Sequence, residues 1–352
     1  MLIKKNIQNM EPYISGYQPL PEKDIIKLNS NENPYPPSPQ VRKFFAEMDY
    51  SMLRYYPNSS SQGLRDSISS LYGIPMENIL CGNGSDEIIS LIFKVFLNIG
   101  DKIVTPYPTY TLYKTVADIN QVLCQYIQTG NDFRINIQEF IDESSNAIFI
   151  ANPNAQTGSL LPLEDIEYLL QNYRGLVVID EAYIDFAKEN STALPLIQKY
   201  PNLIVIRTFS KAYSLCGARV GYCFADSKII NGLDKCKESY NVNYISQEIA
   251  KIALEDQTYL ENTISEVIRA RTYLRDQLKL MEFEVLPSQA NFLLCRPLRG
   301  DAKEIYEYLV RQKIYVRYFD SERLNDKLRI SIGTITQCDT LLHHLRTFYS
   351  IN

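Results

Sequence analysis

Tryptophan is absent from this 352-residue chain, and histidine occurs only as the adjacent pair His343 and His344. Two neighbouring imidazoles, inside what reads as a C-terminal helix, exclude a multi-histidine metal site and leave no well-placed base for a Ser–His triad. With 26 tyrosines and no indole, ultraviolet emission should be weak. The seven cysteines are odd in number and irregular in spacing, so they make no disulfide framework. Cys81, Cys216, Cys223 and Cys295 lie in apolar or turn contexts, where thiols are more often small hydrophobes than nucleophiles. No apolar run approaches the roughly 18 residues that cross a bilayer. The start, with Lys4, Lys5, Asn6, Gln8 and Asn9, lacks the apolar core of a signal peptide. A net charge of −5 argues against a nucleic-acid footprint. The expectation is a cytoplasmic protein with no metal, membrane or nucleic-acid partner.

The length is too great for one small core and suits two domains sharing an interface. From about Tyr35 to Leu254 short apolar strands alternate with helical segments, as in a doubly wound sheet. Residues 35–254 are therefore expected to form a large domain, and 1–34 with 255–352 an N-terminal arm plus a small α+β domain. Ile264, Val267, Ile268, Leu274 and Leu278 predict a long linking helix over Tyr259 to Leu280. The arm, Pro-rich from Pro34 to Pro39, should lie against the small lobe or a partner subunit.

Lys211 is the most informative single residue. It stands in Arg207-Thr208-Phe209-Ser210-Lys211-Ala212-Tyr213, directly after the apolar run Leu203 to Ile206, which reads as a buried strand. Open α/β sheets bind ligands just past such strand ends. A lysine there is either a solvated surface charge or an amine that can form a Schiff base with a carbonyl cofactor. The run Leu176 to Ile179 likewise ends on Asp180, with Tyr183 close behind. A carboxylate there is desolvated unless a cation meets it; a protonated pyridine nitrogen is one such cation, and a helix N-cap or a surface ion pair is the plainer alternative. In Cys81-Gly82-Asn83-Gly84-Ser85-Asp86-Glu87 two glycines permit close backbone approach, and Ser85 and Asp86 are good N-cap types. Free N–H groups at the start of the helix carrying Ile88, Ile89, Ile92 and Phe96 would form an anion cradle suited to phosphate. Ile148 to Gly158 is a further buried strand running into a polar turn.

Taken in order, the phosphate turn, Tyr110, the Asn-bearing turn, Asp180 with Tyr183, Ser210-Lys211 and Arg219 resemble the fold-type I aminotransferases. Their fold is α/β, a large doubly wound and mostly parallel sheet domain plus a smaller α+β domain. Within them the chain is most similar to the histidinol-phosphate aminotransferases, through Asn29-Ser30-Asn31-Glu32-Asn33-Pro34, Arg54-Tyr55-Tyr56-Pro57, Pro108-Thr109-Tyr110, Asp180-Glu181-Ala182-Tyr183, Thr208-Phe209-Ser210-Lys211 and Leu328-Arg329-Ile330-Ser331. The resemblance implies pyridoxal 5'-phosphate as cofactor, bound covalently by Lys211, with Asp180 on the pyridinium nitrogen. It implies that Tyr110 stacks on the ring, that Tyr183 bonds the phenolic oxygen, and that Ser85, Asp86, Ser210 and Arg219 hold the phosphate. Tyr56 would reach across from the second subunit of a homodimer. Tyr13, Asn33, Arg317 and Arg329 match positions that bind substrate. The reaction implied converts L-histidinol phosphate and 2-oxoglutarate to imidazole-acetol phosphate and L-glutamate, in histidine biosynthesis, with ping-pong kinetics.

One turn departs from the family. Its usual Asn-Asn-Pro-Thr-Gly carries a second Asn that donates to the phenolic oxygen, and here Ala155 and Gln156 follow Asn154. Either Asn154 takes over as a cofactor-binding residue, or Tyr183 carries the bond alone and the phenolate is stabilised less. Arg329 reads two ways from its own surroundings, as a strand-edge surface charge or as a guanidinium fork shared by carboxylate and phosphate. An aromatic amino acid aminotransferase or a decarboxylase of a phosphorylated amino acid would share every cofactor residue. A transcription regulator of the same shape would need a DNA-binding domain in addition.

Overall fold

In the computed structural model, residues 2–13, 16–20, 24–141 and 144–351 are described. The first strand is β1 (Ile26–Lys27). It is followed by β2 (Ile79–Gly82), β3 (Lys102–Tyr107), β4 (Leu123–Gln128), β5 (Ala147–Ala151), β6 (Leu176–Asp180), β7 (Leu203–Thr208) and β8 (Gly221–Ala225). The last seven assemble in the order β2-β8-β7-β6-β5-β3-β4. Strands β3 to β7 run parallel, while β8 is antiparallel to both of its neighbours.

This sheet forms because its central strands are apolar on both faces, the pattern of strands covered by helices on each side. Successive side chains point to opposite faces. Ile148, Ile150, Val177, Ile179, Leu203 and Val205 enter one core, whereas Phe149, Val178, Ile204 and Ile206 enter the other. The helix Leu163–Asn172 covers the first face with Ile166 and Leu169, and the helices Gly84–Phe96 and Leu112–Asn120 cover the second with Ile88, Ile92, Tyr113 and Val116. Each such side chain contributes about 1.5–3 kcal/mol on burial. The doubly wound, mostly parallel sheet expected from the sequence is the one observed.

The predicted long helix spans Gln257–Leu280, with the Asp256 carboxylate accepting from the Tyr259 N–H. Beyond it come β9 (Phe283–Val285), β10 (Phe292–Pro297), β11 (Ile314–Tyr315), β12 (Arg317–Tyr318) and β13 (Leu328–Ser331). Four of them form an antiparallel sheet in the order β12-β13-β10-β9, and β11 pairs in parallel with β1. The arm continues this attachment: the Leu28 N–H donates to the Tyr315 carbonyl at 2.7 Å, and the Ser331 N–H to the Leu28 carbonyl at 2.9 Å. The small lobe, rather than a partner, therefore receives this part of the arm.

The order of strand addition reverses around β3, since β4 is added on its outer side and β5 on its inner side. Such a reversal opens a crevice at the carboxyl ends of the strands. The connections after β3, β5, β6 and β7 all reach it.

Candidate active site

A cavity of about 260 Å³ at that crevice is lined by Lys211, Asp180, Tyr110, Arg219, Arg329 and Tyr13, among others. Lys211 is carried by the connection from β7 to its antiparallel neighbour β8, whose register sets Thr208 opposite Gly221. The Phe209 N–H donates to the Val220 carbonyl and the Leu215 N–H to the Phe209 carbonyl, both at 3.0 Å, so the loop is pinned at its base. Lys211 Nζ donates to the Ser30 carbonyl at 3.2 Å and stands 5.6 Å from the centroid of the Tyr183 ring.

At one end of the cavity β2 runs into the helix Gly84–Phe96. Asn83 occupies its N-cap, and Ser85 and Asp86 fall within its first turn, where backbone N–H groups have no intrahelical partner. Gly84 has φ +78, and a Cβ there would collide with the Arg219 guanidinium. A Cβ at Gly221 would stand 2.5 Å from the Ser85 nitrogen. These two glycines let the helix start and Arg219 meet. Arg219 donates to Asp86 Oδ2 at 3.0 Å and to Ser210 Oγ at 3.4 Å, and the Tyr110 hydroxyl donates to Asp86 Oδ1 at 3.1 Å. The Arg219–Asp86 pair is nearly half exposed and contributes at most about 1 kcal/mol, so an incoming anion exchanges for it readily.

Asp180 lies beneath the cavity on the face shared with Val178. It is 4% exposed, with Oδ2 accepting from the Tyr113 hydroxyl at 2.9 Å and Oδ1 from the Ala182 N–H at 3.1 Å. Burial pushes its pKa up to about 6; the two hydrogen bonds hold it down, while Asp86 and Glu181 push it further up. Strand alternation sends Glu181 the other way, where its Oε2 accepts from Arg207 Nε at 3.0 Å and Nη2 at 2.9 Å. The nearby guanidinium is thus spent on Glu181, and Asp180 has neutral donors. It is neither a helix N-cap nor part of a surface ion pair.

The opposite wall comes from the small lobe. Arg317 on β12 pairs in register with Arg329 on β13, and both line the cavity. The Arg329 guanidinium lies 5.2 Å from the ring centroids of Phe292 and Phe319. Its Nη1 donates to the Ala155 carbonyl at 2.9 Å and to Gln156 Oε1 at 3.0 Å, and Nη2 reaches the Asn29 carbonyl at 3.4 Å. Nε is buried without a hydrogen-bond partner among the described residues. Burial lowers the pKa to about 10, partly offset by Tyr183 and reinforced by Arg317, so the group stays charged at neutral pH. The acceptors orient this cation without cancelling it. Tyr13 meets Tyr110 edge-on, ring centroids 6.2 Å apart.

Asn154 and Asn33, expected in the site, do not line the cavity, and neither does Tyr56, whose expected place is a neighbouring subunit's site rather than this one. Asn154 donates one N–H to the Pro108 carbonyl at 2.9 Å, and its Oδ1 accepts from the Gln156 and Thr157 N–H groups, so its side chain is held by backbone and does not line the cavity where Ala155 lacks a donor. Asn33 donates to the Ala212 carbonyl at 3.0 Å and accepts from the Tyr35 N–H, tying the arm to the Lys211 loop instead of facing substrate. Tyr56 is 80% exposed and stacks on Tyr240, centroids 4.3 Å apart. Asn31 and Gln156 line the cavity, and Tyr113 reaches the site through its hydrogen bond to Asp180. Tyr113 lies in the first turn of the helix Leu112–Asn120, just after the Tyr110 segment, and nothing local in the sequence marks its bond to Asp180.

The model of the family described as aminotransferase class I and II matches residues 23–345. The chain belongs to this aminotransferase family. Histidinol-phosphate aminotransferase 1 of Trichormus variabilis is 40% identical over 343 residues, covering 97% of each chain. A solved structure of histidinol-phosphate aminotransferase from Sinorhizobium meliloti, in complex with pyridoxal-5'-phosphate, superposes with a TM-score of 0.89 at 23% identity, over 99% of this chain and 98% of that one. The L-threonine-O-3-phosphate decarboxylase of Porphyromonas gingivalis has the same fold, with a TM-score of 0.83 at 22% identity, over 93% of this chain and 100% of that one.

The residues of this aminotransferase fit pyridoxal phosphate at each functional end of that molecule. A buried carboxylate with neutral donors suits a protonated ring nitrogen; a helix start with Arg219 and Ser210 suits the phosphate; Lys211 lines the same cavity. The carboxylate makes a separate prediction. An acid moved from 3.8 to about 6 binds its proton more tightly in the folded state, so its contribution to stability is full below pH about 4 and is lost as pH rises through about 6. Asp180→Asn, uncharged throughout, should therefore gain stability relative to the unmodified cofactor-free protein between pH 4 and pH 8, by up to about 3 kcal/mol. Denaturant melts at both pH values measure it; a difference that does not change with pH would refute the desolvation.

Proposed function

We propose that this aminotransferase moves the amino group of L-histidinol phosphate to 2-oxoglutarate, giving imidazole-acetol phosphate and L-glutamate. The observation that carries the reading is the pair Arg317 and Arg329, on adjoining strands, lining one cavity with Lys211. Two guanidinium groups suit a dianionic phosphate better than one, and a fork also grips the carboxylate of glutamate. Relatives at 40% identity over nearly their whole length carry the name of this reaction.

Pyridoxal phosphate, when bound, supplies a ring that accepts the electron pair left as the substrate α-carbon loses its proton. Lys211 would hold the cofactor through Nζ and, once displaced by the amine substrate, move that proton as general base and then acid. Asp180 would keep a proton on the ring nitrogen. Arg219, Ser210, Ser85 and the first-turn N–H groups would hold the phosphate, Tyr110 would wall one ring face, and Tyr183 would donate to the ring oxygen. Arg329 and Arg317 orient the substrate anion.

We place the large domain at 35–254, the location in the cytoplasm, and the active unit as a homodimer in which Tyr56 completes the neighbour's phosphate site. Tyr56 projects from a segment whose Tyr50, Leu53 and Tyr55 are also exposed. Sedimentation at micromolar concentration should give a dimer, and a fully active, cofactor-loaded monomer would contradict it. Tyr13→Phe should lower efficiency mainly in the histidinol phosphate half-reaction, by about ten- to a hundredfold, the worth of one hydrogen bond to a charged acceptor. An equal loss with glutamate would remove Tyr13 from the phosphate. A panel of amino donors with 2-oxoglutarate, read as glutamate formed, tests the whole reading. L-histidinol phosphate should lead; preference for an aromatic amino acid, or carbon dioxide released from a phosphorylated amino acid without glutamate, would overturn it.

A further inference from the structure

Three consecutive arm residues touch three different groups of the site. The Asn29 carbonyl accepts from Arg329, the Ser30 carbonyl from Lys211 Nζ, and Asn31 Nδ2 donates to the Tyr183 hydroxyl at 3.0 Å. Asn31 is the most constrained of them. It is 1% exposed and has φ +55, a left-handed conformation that Asn tolerates better than most residues. Its N–H donates to Ser331 Oγ at 2.8 Å, and its carbonyl accepts from Asn291 Nδ2 at 3.0 Å.

The Ser331 hydroxyl determines which way the Asn31 amide faces. Oγ accepts the Asn31 N–H and has its own proton to give, which goes to Asn31 Oδ1 at 3.1 Å. The amide oxygen is therefore turned to Ser331 and the amide nitrogen to Tyr183. An amide nitrogen donates and does not accept, so the Tyr183 oxygen must be the acceptor of this bond. Its own proton is then left for an acceptor elsewhere, and Tyr183 lines the cavity. The turn after β5 makes this proton matter more. Ala155 offers no side-chain donor there, and Asn154, tied to the Pro108 carbonyl, does not line the cavity.

We propose that Asn31 is a positioning residue that sets the direction of the Tyr183 hydroxyl proton, aiming it at the cofactor's ring oxygen and so offsetting the missing donor at position 155. The inference rests on the pyridoxal phosphate reading above. Asn31 acts through Tyr183 and needs no contact with the cofactor. Because Ser331 lies two residues beyond Arg329 on β13, the strand that grips the substrate anion also anchors Asn31.

The visible absorbance of the holoenzyme, titrated with pH, reports the proton shared between Lys211 Nζ and the ring oxygen. A ring oxygen that receives less donation is more negative and holds that proton to higher pH. Tyr183→Phe should raise the midpoint by about one to two units, the equivalent of one hydrogen bond to a charged acceptor. Asn31→Asp offers Tyr183 an acceptor in place of a donor, draws the hydroxyl proton to the arm, and should raise the midpoint comparably. Asn31→Ala, which frees the hydroxyl to rotate, should raise it less. In a Tyr183→Phe background Asn31→Ala should add no further shift, and Asn31→Asp only the smaller one that its added charge exerts through space. Equal shifts in both backgrounds, or no shift from either Asn31 variant alone, would overturn the proposal. If Asn31→Asp does not fold, the Asn31→Ala cycle decides in the same way. Failure of the unmodified protein to take up pyridoxal phosphate would instead overturn the cofactor reading itself.

Discussion

Lys211→Ala should lower turnover by at least about 10²–10⁴-fold, the loss expected from removing the general acid–base group alone. The protein should remain folded and should still bind the cofactor noncovalently. Among the described residues Nζ makes one hydrogen bond, to the Ser30 carbonyl, whereas the loop that carries it is pinned by Phe209, Val220 and Leu215 through backbone contacts that the substitution leaves in place. Single-turnover mixing with each amine substrate separates the effect on chemistry from any effect on binding. Retention of turnover within about tenfold would assign the proton to another group.

Arg329→Lys should damage both half-reactions, by about ten- to a hundredfold each. The structure explains why lysine is no substitute. The arginine fork divides its donors, giving Nη1 to the Ala155 carbonyl and Gln156 Oε1, while Nε has no partner among the described residues. A point charge at the end of a flexible stem has no such fixed edge to offer a carboxylate or a phosphate. It would also lose the stacking between Phe292 and Phe319. Single-turnover rates with glutamate and with L-histidinol phosphate check the shared role. An intact glutamate half-reaction would transfer the carboxylate to Arg317 or another group.

The strands were legible because β5, β6 and β7 are covered on both faces and so read as unbroken apolar runs. Lys211, Asp180 and the turn before Ser85 were legible for a related reason: each stands where such a run ends, and in this architecture strand ends converge on one crevice. Residues whose role depends on contacts far along the chain left no local signal. Asn31 reaches Tyr183 and Ser331 only because β1 and Leu28 dock the arm on the small lobe. The resemblance alone puts Asn154 and Asn33 in the site, whereas each accepts from nearby turn backbone through Oδ1 and donates to a carbonyl far along the chain, contacts that no local pattern shows. Asn83 took the helix cap from Ser85 and Asp86 because Gly84, in its left-handed conformation, already belongs to the first turn. The contrast between Asp180 and Glu181 follows from strand alternation, yet the Arg207 that separates their roles comes from the neighbouring strand and is a tertiary fact.

Borohydride reduction of the pyridoxal phosphate-loaded protein, followed by peptide mapping, is the most direct single measurement of the account. A pyridoxyl label on the peptide containing Lys211, with loss of activity in proportion to labelling, is the expected result. A label on any other lysine, or full activity after stoichiometric labelling of Lys211, would contradict it.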